Sequence, residues 1–255
     1  MAKENNYPPF LLFLAGSLLL SGGWMMASFP VFLLIGLAPL FALTDRATST
    51  SSVWEKMEWV LLTLAVSFLA SRSFDFSFTV SSLAFAILFT FSFAGYVWVR
   101  QTLGARAGKI SIVFFWLALE YLLLKLLPDS SVFLADGLRL VPSWTRWNVH
   151  TGYLGTSLWL LISNFAVYQA FLSAEAFRWH WILAVIICIG GPVIYSYSLD
   201  FSTITRNDLL NLYSENSMTG NVMYLARGEF VVRTAAWIST LILLFTLVKS
   251  QTTKG

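Results

Sequence analysis

The sharpest chemical signal in the chain is Glu120, set in the apolar run Phe114-Phe115-Trp116-Leu117-Ala118-Leu119-Glu120-Tyr121. An ionised carboxylate in such surroundings is costly unless it is paired, lies at an interface or takes up a proton. Trp116 stands four residues earlier on the same helical face, so one wall offers an indole donor beside a carboxyl acceptor. The pair reads either as a ligand- or helix-anchoring site or as a structural glutamate bonded to a neighbouring helix. A second signal is the string from Trp144 to Ser157, in which Trp147 and Tyr153 suit a membrane interface while Gly152 and Gly155 let helices approach closely. His150 in the same string has the chemistry of a general base, but that role needs an oriented partner and no nucleophile motif accompanies it. Asn164 is expected to make an interhelical hydrogen bond, worth about 1 kcal/mol or less. Cys188 lies among apolar residues that oppose thiolate formation. Arg139, Arg146, Arg206, Arg227 and Arg233 read as phospholipid-headgroup ligands or as solvated loop charges. No metal-ligand cluster, phosphate loop or Ser/His/Asp spacing stands out, so no catalytic residue, metal or cofactor is assigned.

These residues need elements to position them, and the composition says which kind. Of 255 residues, 57% are hydrophobic and only 11% are charged, whereas soluble domains carry about 25% charged residues. Such a chain is a bilayer protein rather than a soluble globule or a disordered chain, and one cysteine builds no disulfide framework. The net charge of +3 is scattered, with no basic block that would suggest nucleic acid. The expected fold is all-α, a polytopic helical bundle of about eight transmembrane spans of the length a bilayer requires. They fall at about 10–26, 31–43, 57–70, 80–99, 110–127, 153–172, 181–197 and 230–248, in a single membrane domain covering 1–255. The second is short enough to be tilted or re-entrant, and Gly190-Gly191-Pro192 predicts a kink in the seventh. Arg100, Arg106 and Lys109 cluster in a basic, glycine-containing connector, which places both termini in the cytoplasm. Residues 199–229 then form a polar segment on the outer side.

Four stretches together resemble the membrane domain of bacterial apolipoprotein N-acyltransferase, in the form found in Bacteroidetes-type bacteria. They are Phe29-Pro30-Val31-Phe32 with Leu37-Ala38-Pro39-Leu40; Tyr96 to Lys109 followed by Phe115-Trp116 and Glu120-Tyr121; Pro142 to Asn164; and Arg227-Gly228-Glu229-Phe230-Val231-Val232-Arg233-Thr234 leading to Trp237. The resemblance implies eight spans in the bacterial inner membrane and a periplasmic nitrilase-like domain inserted between spans seven and eight. That inserted domain carries the family's Glu-Lys-Cys machinery for passing an acyl chain from a phospholipid to a lipoprotein. Here the insertion point offers only 199–229, without cysteine or lysine, and acyl transfer through a thioester requires an activated nucleophile with a base in reach. Lys125 also comes five positions after Glu120, where the family usually has a basic residue at once.

The resemblance therefore implies a catalytically incomplete homologue. Its expected partners are a phospholipid or lipoprotein held between helices, or a separate periplasmic protein docking on 199–229, with Trp116, Glu120, Arg146, Trp147, His150, Gly152, Gly155, Asn164, Arg227 and Arg233 as the candidate residues. The alternative is a membrane-embedded acyl- or other lipid-linked transferase using outer-face His150 and carboxylates. A transporter is disfavoured because, apart from Glu120, the spans lack ionisable residues to line a path.

Overall fold

The computed structural model describes residues 7–26, 30–47, 53–127, 132–173, 179–200, 202–215 and 222–252, and side chains within these except 47, 53–56, 105–107, 211–215 and 222–230. Every regular element among them is helical: α1 (Pro9–Met25), α2 (Val31–Gly36), α3 (Ala38–Ala47), α4 (Val53–Ser71), α5 (Thr79–Leu103), α6 (Ala105–Leu126), α7 (Asn148–Thr151), α8 (Tyr153–Val167), α9 (Trp179–Tyr197), α10 (Arg206–Glu215) and α11 (Val222–Thr252). Short 3-10 turns cover Phe76–Phe78, Leu134–Leu138 and Pro142–Trp144, and a π turn, Tyr168–Leu172, extends α8.

Three stretches are long and apolar enough to cross a bilayer: Phe76–Leu103, Trp179–Tyr197 and Val231–Thr252. Shorter apolar helices run over Pro9–Met25 and Met57–Ser71. In α9 only Ser196 is buried, while Ile186, Ile187 and Ile194 are more than half exposed. Water does not tolerate an apolar face of that extent on a monomer, and a membrane does. These features mark a membrane protein.

The core lies among α3, α4, α5, α6 and α8. Trp116 of α6 stacks on Phe89 of α5 at 4.2 Å between ring centres and meets Phe93 edge-on at 6.0 Å. Phe41 of α3 extends the aromatic cluster to Phe93 and Tyr168. Offset and edge-on pairs of this kind contribute about 0.5–1.5 kcal/mol beyond their burial.

Two connections differ from the sequence expectation. The basic connector is almost entirely helical: α5 runs to Leu103, α6 starts at Ala105, and Gly104 alone reverses the chain at φ +96°, a conformation open to glycine at little cost. Beside it Arg100 pairs with Asp45 and donates to Tyr96 Oη at 2.8 Å, while Tyr96 in turn binds Asp45. The polar segment 199–229 also carries helix, with α10 inside it and the start of α11 at Val222. Buried Leu209 fastens α10 to the core. At the α4–α5 corner, the Ser77 amide donates to Asp75 at 2.9 Å, which with the Ser77 hydroxyl holds that carboxyl below its ordinary range.

The expected second span is divided at Leu37 into α2 and α3, for a physical reason. Pro39 lacks the N–H that would continue the ladder to Ile35. Asn164 of α8 then inserts between the next donor and acceptor: Leu37 N–H donates to Asn164 Oδ1 at 2.6 Å, and Asn164 Nδ2 donates to Leu33 O at 2.7 Å. The amide thus stands in for the missing turn and ties α8 to the break. Asn164→Leu keeps the branched shape, in a larger side chain, but leaves a buried donor and acceptor unmet; it is expected to lower stability by about 2 kcal/mol, read from unfolding in mixed detergent micelles.

Candidate functional site

Two constellations assemble around α8, which is buried along most of its length. The first is a cavity of about 610 Å³ among α7, α8, α9 and α11. Trp147, His150 and Gly155, singled out from the sequence, line it together with Cys188. Trp147 and Trp159 meet edge-on at 5.7 Å, and the His150 ring lies 6.5 Å from that of Tyr195. The remaining wall is apolar, with Leu158 and Ile162 facing Pro192. No carboxylate is among the described lining residues.

Pro192 explains how the cavity is held open. Lacking an N–H, it leaves the carbonyl four residues back, that of Cys188, without its helical donor. Trp159 Nε1 donates to that carbonyl at 2.6 Å. The α9 helix continues through Pro192 to Tyr197, so the gap in its ladder is closed from α8. On the α9 side Gly191 contributes no side chain, and a Cβ there would have nothing within 4 Å.

The second constellation is polar and lies at the far end of α6 from Gly104. The turn beginning at Phe133 presents three successive buried amides, and each finds a different side chain. Phe133 N–H donates to Asp136 Oδ2 at 2.9 Å, Leu134 N–H to Glu120 Oε1 at 2.9 Å, and Ala135 N–H to Ser157 Oγ at 3.1 Å. Glu120 is wholly buried and also accepts from Trp116 Nε1 at 3.1 Å; its Oε2 has no hydrogen-bond partner. Asp136 further accepts from Tyr153 Oη at 2.5 Å and pairs with Arg206 at 2.7 Å. Asn148 clamps Ile204 from both sides, at 3.0 and 2.9 Å.

The sequence candidates thus separate by task. Trp116 and Glu120 are bonded to each other but belong to the buried anchor under the 133–135 turn, apart from the cavity. Arg146 is spent on the fold: its guanidinium donates to Leu199 O at 2.8 Å and its amide to Ser196 Oγ at 2.8 Å. Gly152 turns the chain between α7 and α8 at φ +78°. Asn164 bridges the α2–α3 break, and Arg233 donates to Tyr121 Oη at 3.0 Å from an exposed position. The side chain of Arg227 lies outside the described residues. Sequence reading missed the Asp136–Tyr153–Arg206 cluster and the Trp159–Cys188 bond. Trp159 carried a signal: a mid-helix indole needs an acceptor, and Pro192 supplies a vacant one. No group of three His, Cys, Asp or Glu suited to a metal occurs among the described residues.

No protein-family model, no curated protein and no solved structure matches the chain.

The Trp159–Pro192 relation has a testable form. Trp159→Phe strips the donor and is expected to cost about 1–2 kcal/mol. In a Pro192→Ala background residue 192 supplies its own N–H, so the same substitution should cost about 1 kcal/mol less. Unfolding titrations of the four proteins in mixed micelles give this coupling.

Proposed function

We propose that the chain crosses a bacterial inner membrane about eight times, with both termini in the cytoplasm, and holds an acyl chain of a phospholipid or lipoprotein in the cavity among α7, α8, α9 and α11. In this reading it is a catalytically incomplete relative of the apolipoprotein N-acyltransferase membrane domain. The resemblance of the four stretches supports the frame, and helices cover the expected spans, the second being broken at Leu37.

The observation that carries the lipid reading is the cavity itself: about 610 Å³, within the roughly 300–1,000 Å³ typical of small-molecule sites, with an almost wholly apolar wall. Burial alone gives an acyl chain no reason to leave the bilayer, whose hydrocarbon is equally apolar. Retention then depends on shape, fixed here by the crossed Trp147 and Trp159 rings, and on polar groups at His150, Thr151 and Tyr195 that suit the ester end of a lipid.

For the transferase alternative built on His150, three carboxylates that could serve it are engaged elsewhere. Asp136 is engaged with Tyr153 and Arg206, Asp208 with Thr205, and Glu120 with Leu134 and Trp116. None of the three lines the cavity beside His150. Docking of a separate protein on 199–229 is a second use of the same frame, with less to support it, because α10 is itself fastened to the bundle.

Gly191 and Gly190 provide the test. Both have open space where a Cβ would stand, but only Gly191 lines the cavity. Gly191→Leu is expected to reduce co-purifying lipid at least fivefold, by mass spectrometry of the detergent-purified protein, while Gly190→Leu retains it. Equal retention in both variants, or robust N-acylation of a diacylated lipoprotein by the purified chain alone, would overturn the reading.

A further inference from the structure

A second pocket, of about 270 Å³, lies beside the Leu134–Leu138 turn and shares no lining residue with the apolar cavity. Two helix starts converge on it. Tyr153 and Thr156 come from the first turns of α8, and Thr205, Arg206 and Asn207 open α10. A helix N-terminus carries about half a unit of positive charge on amides that lack intrahelical acceptors. At α10 this is already answered: Asp208 Oδ2 accepts from the Thr205 amide at 2.8 Å and from its hydroxyl at 2.7 Å. At α8 it is not. The N-cap is Gly152, which has no side chain to offer, and the first turn holds no acidic residue.

A second observation points to a ligand at the same place. Thr156 is 2% exposed, and its Oγ1 has no hydrogen-bond partner, so a buried hydroxyl is left unmet at a cost of about 1–3 kcal/mol unless something fills the pocket. The charge of the lining has one sign. Among the described lining residues Arg139 and Arg206 are the only ionisable groups apart from the Tyr153 phenol, and none is a carboxylate. Arg206 is held in place by Asp136 at 2.7 Å and lies 5.0 Å over the Phe133 ring, which leaves the exposed Arg139 as the uncompensated charge at the rim.

We propose that this pocket binds a phosphate group, carried by a small soluble phosphoester or by a lipid headgroup. The volume is below the roughly 300–1,000 Å³ of larger small-molecule sites, and tetrahedral oxygens can accept from the first turn of α8, from Thr156 and from Arg139 together. The proposal does not rest on the acyl cavity. Filling that cavity through Gly191→Leu leaves the phosphate pocket untouched, so either reading can fail without the other.

The test titrates the full chain in phosphate-free detergent micelles with inorganic phosphate and with glycerol 3-phosphate, by calorimetry. A parallel titration uses nanodiscs of phosphatidylglycerol against nanodiscs of an uncharged glycolipid. Saturable binding of a soluble probe assigns a soluble phosphoester; a response confined to phosphatidylglycerol assigns a headgroup. In either case Thr156→Val and Arg139→Gln should each weaken binding about tenfold, and Thr156→Ser, which keeps the hydroxyl, should restore most of it. Arg139 is exposed, so its variant reports even if Thr156→Val misfolds. Absence of saturable binding by every probe, or affinity unchanged in Arg139→Gln, would overturn the proposal.

Discussion

Asn164 occupies a place normally held by nothing at all, the gap between a helical carbonyl and the amide four residues on. By accepting from Leu37 and donating to Leu33, it lets the backbone between α2 and α3 break inside the protein without stranding a polar group. Within a bilayer this is the governing constraint, since there is no water to satisfy an open backbone group and every irregularity has to be met by another part of the chain. Backbone groups buried elsewhere in the protein are met in the same way. Trp159 closes the carbonyl opened by Pro192, Glu120 and Ser157 take two amides of the 133–135 turn, and Asn148 pairs with both backbone groups of Ile204.

Three of these donors and acceptors, Ser157, Trp159 and Asn164, belong to one helix. Its buried surface works as a strip of polar fittings onto which broken segments of the chain are fastened, and the neighbouring elements take their positions from it. The apolar cavity follows from this arrangement. Where α9 passes α8, the indole bond to Cys188 links the two along that wall, and the adjacent glycines and proline offer little side-chain volume to close the space. Glu120 fits the same scheme. Its carboxylate is fixed by an indole on its own helix and by the amide of a distant turn, so that it joins α6 to the loop that precedes α8.

Much of the helical frame was legible because the apolar runs are long and the breaks between them carry proline, glycine or charge. The membrane character and the pairing of Trp116 with Glu120 could be read from composition and an i,i+4 spacing. The division at Leu37 could not, although Pro39 hinted at it, because the group that stabilises the break is Asn164, far along the chain. The same limit hid the cluster around Asp136. Asp136, Tyr153 and Arg206 come from three separate segments, none with a local pattern, and only folding brings the carboxylate between a phenol and a guanidinium. Arg146 and Arg206 looked available for lipid from sequence because their long-range partners, the Leu199 carbonyl and the Asp136 carboxylate, leave no mark on local spacing.

Gly104 also limits how α5 and α6 can move. With a single residue between them, neither helix can slide along the other or separate at that end without unwinding a turn of itself, so the two behave as one lever hinged at its corner. The Asp45–Arg100–Tyr96 cluster beside that corner ties the hinge to α3, and a force on either arm is therefore felt there.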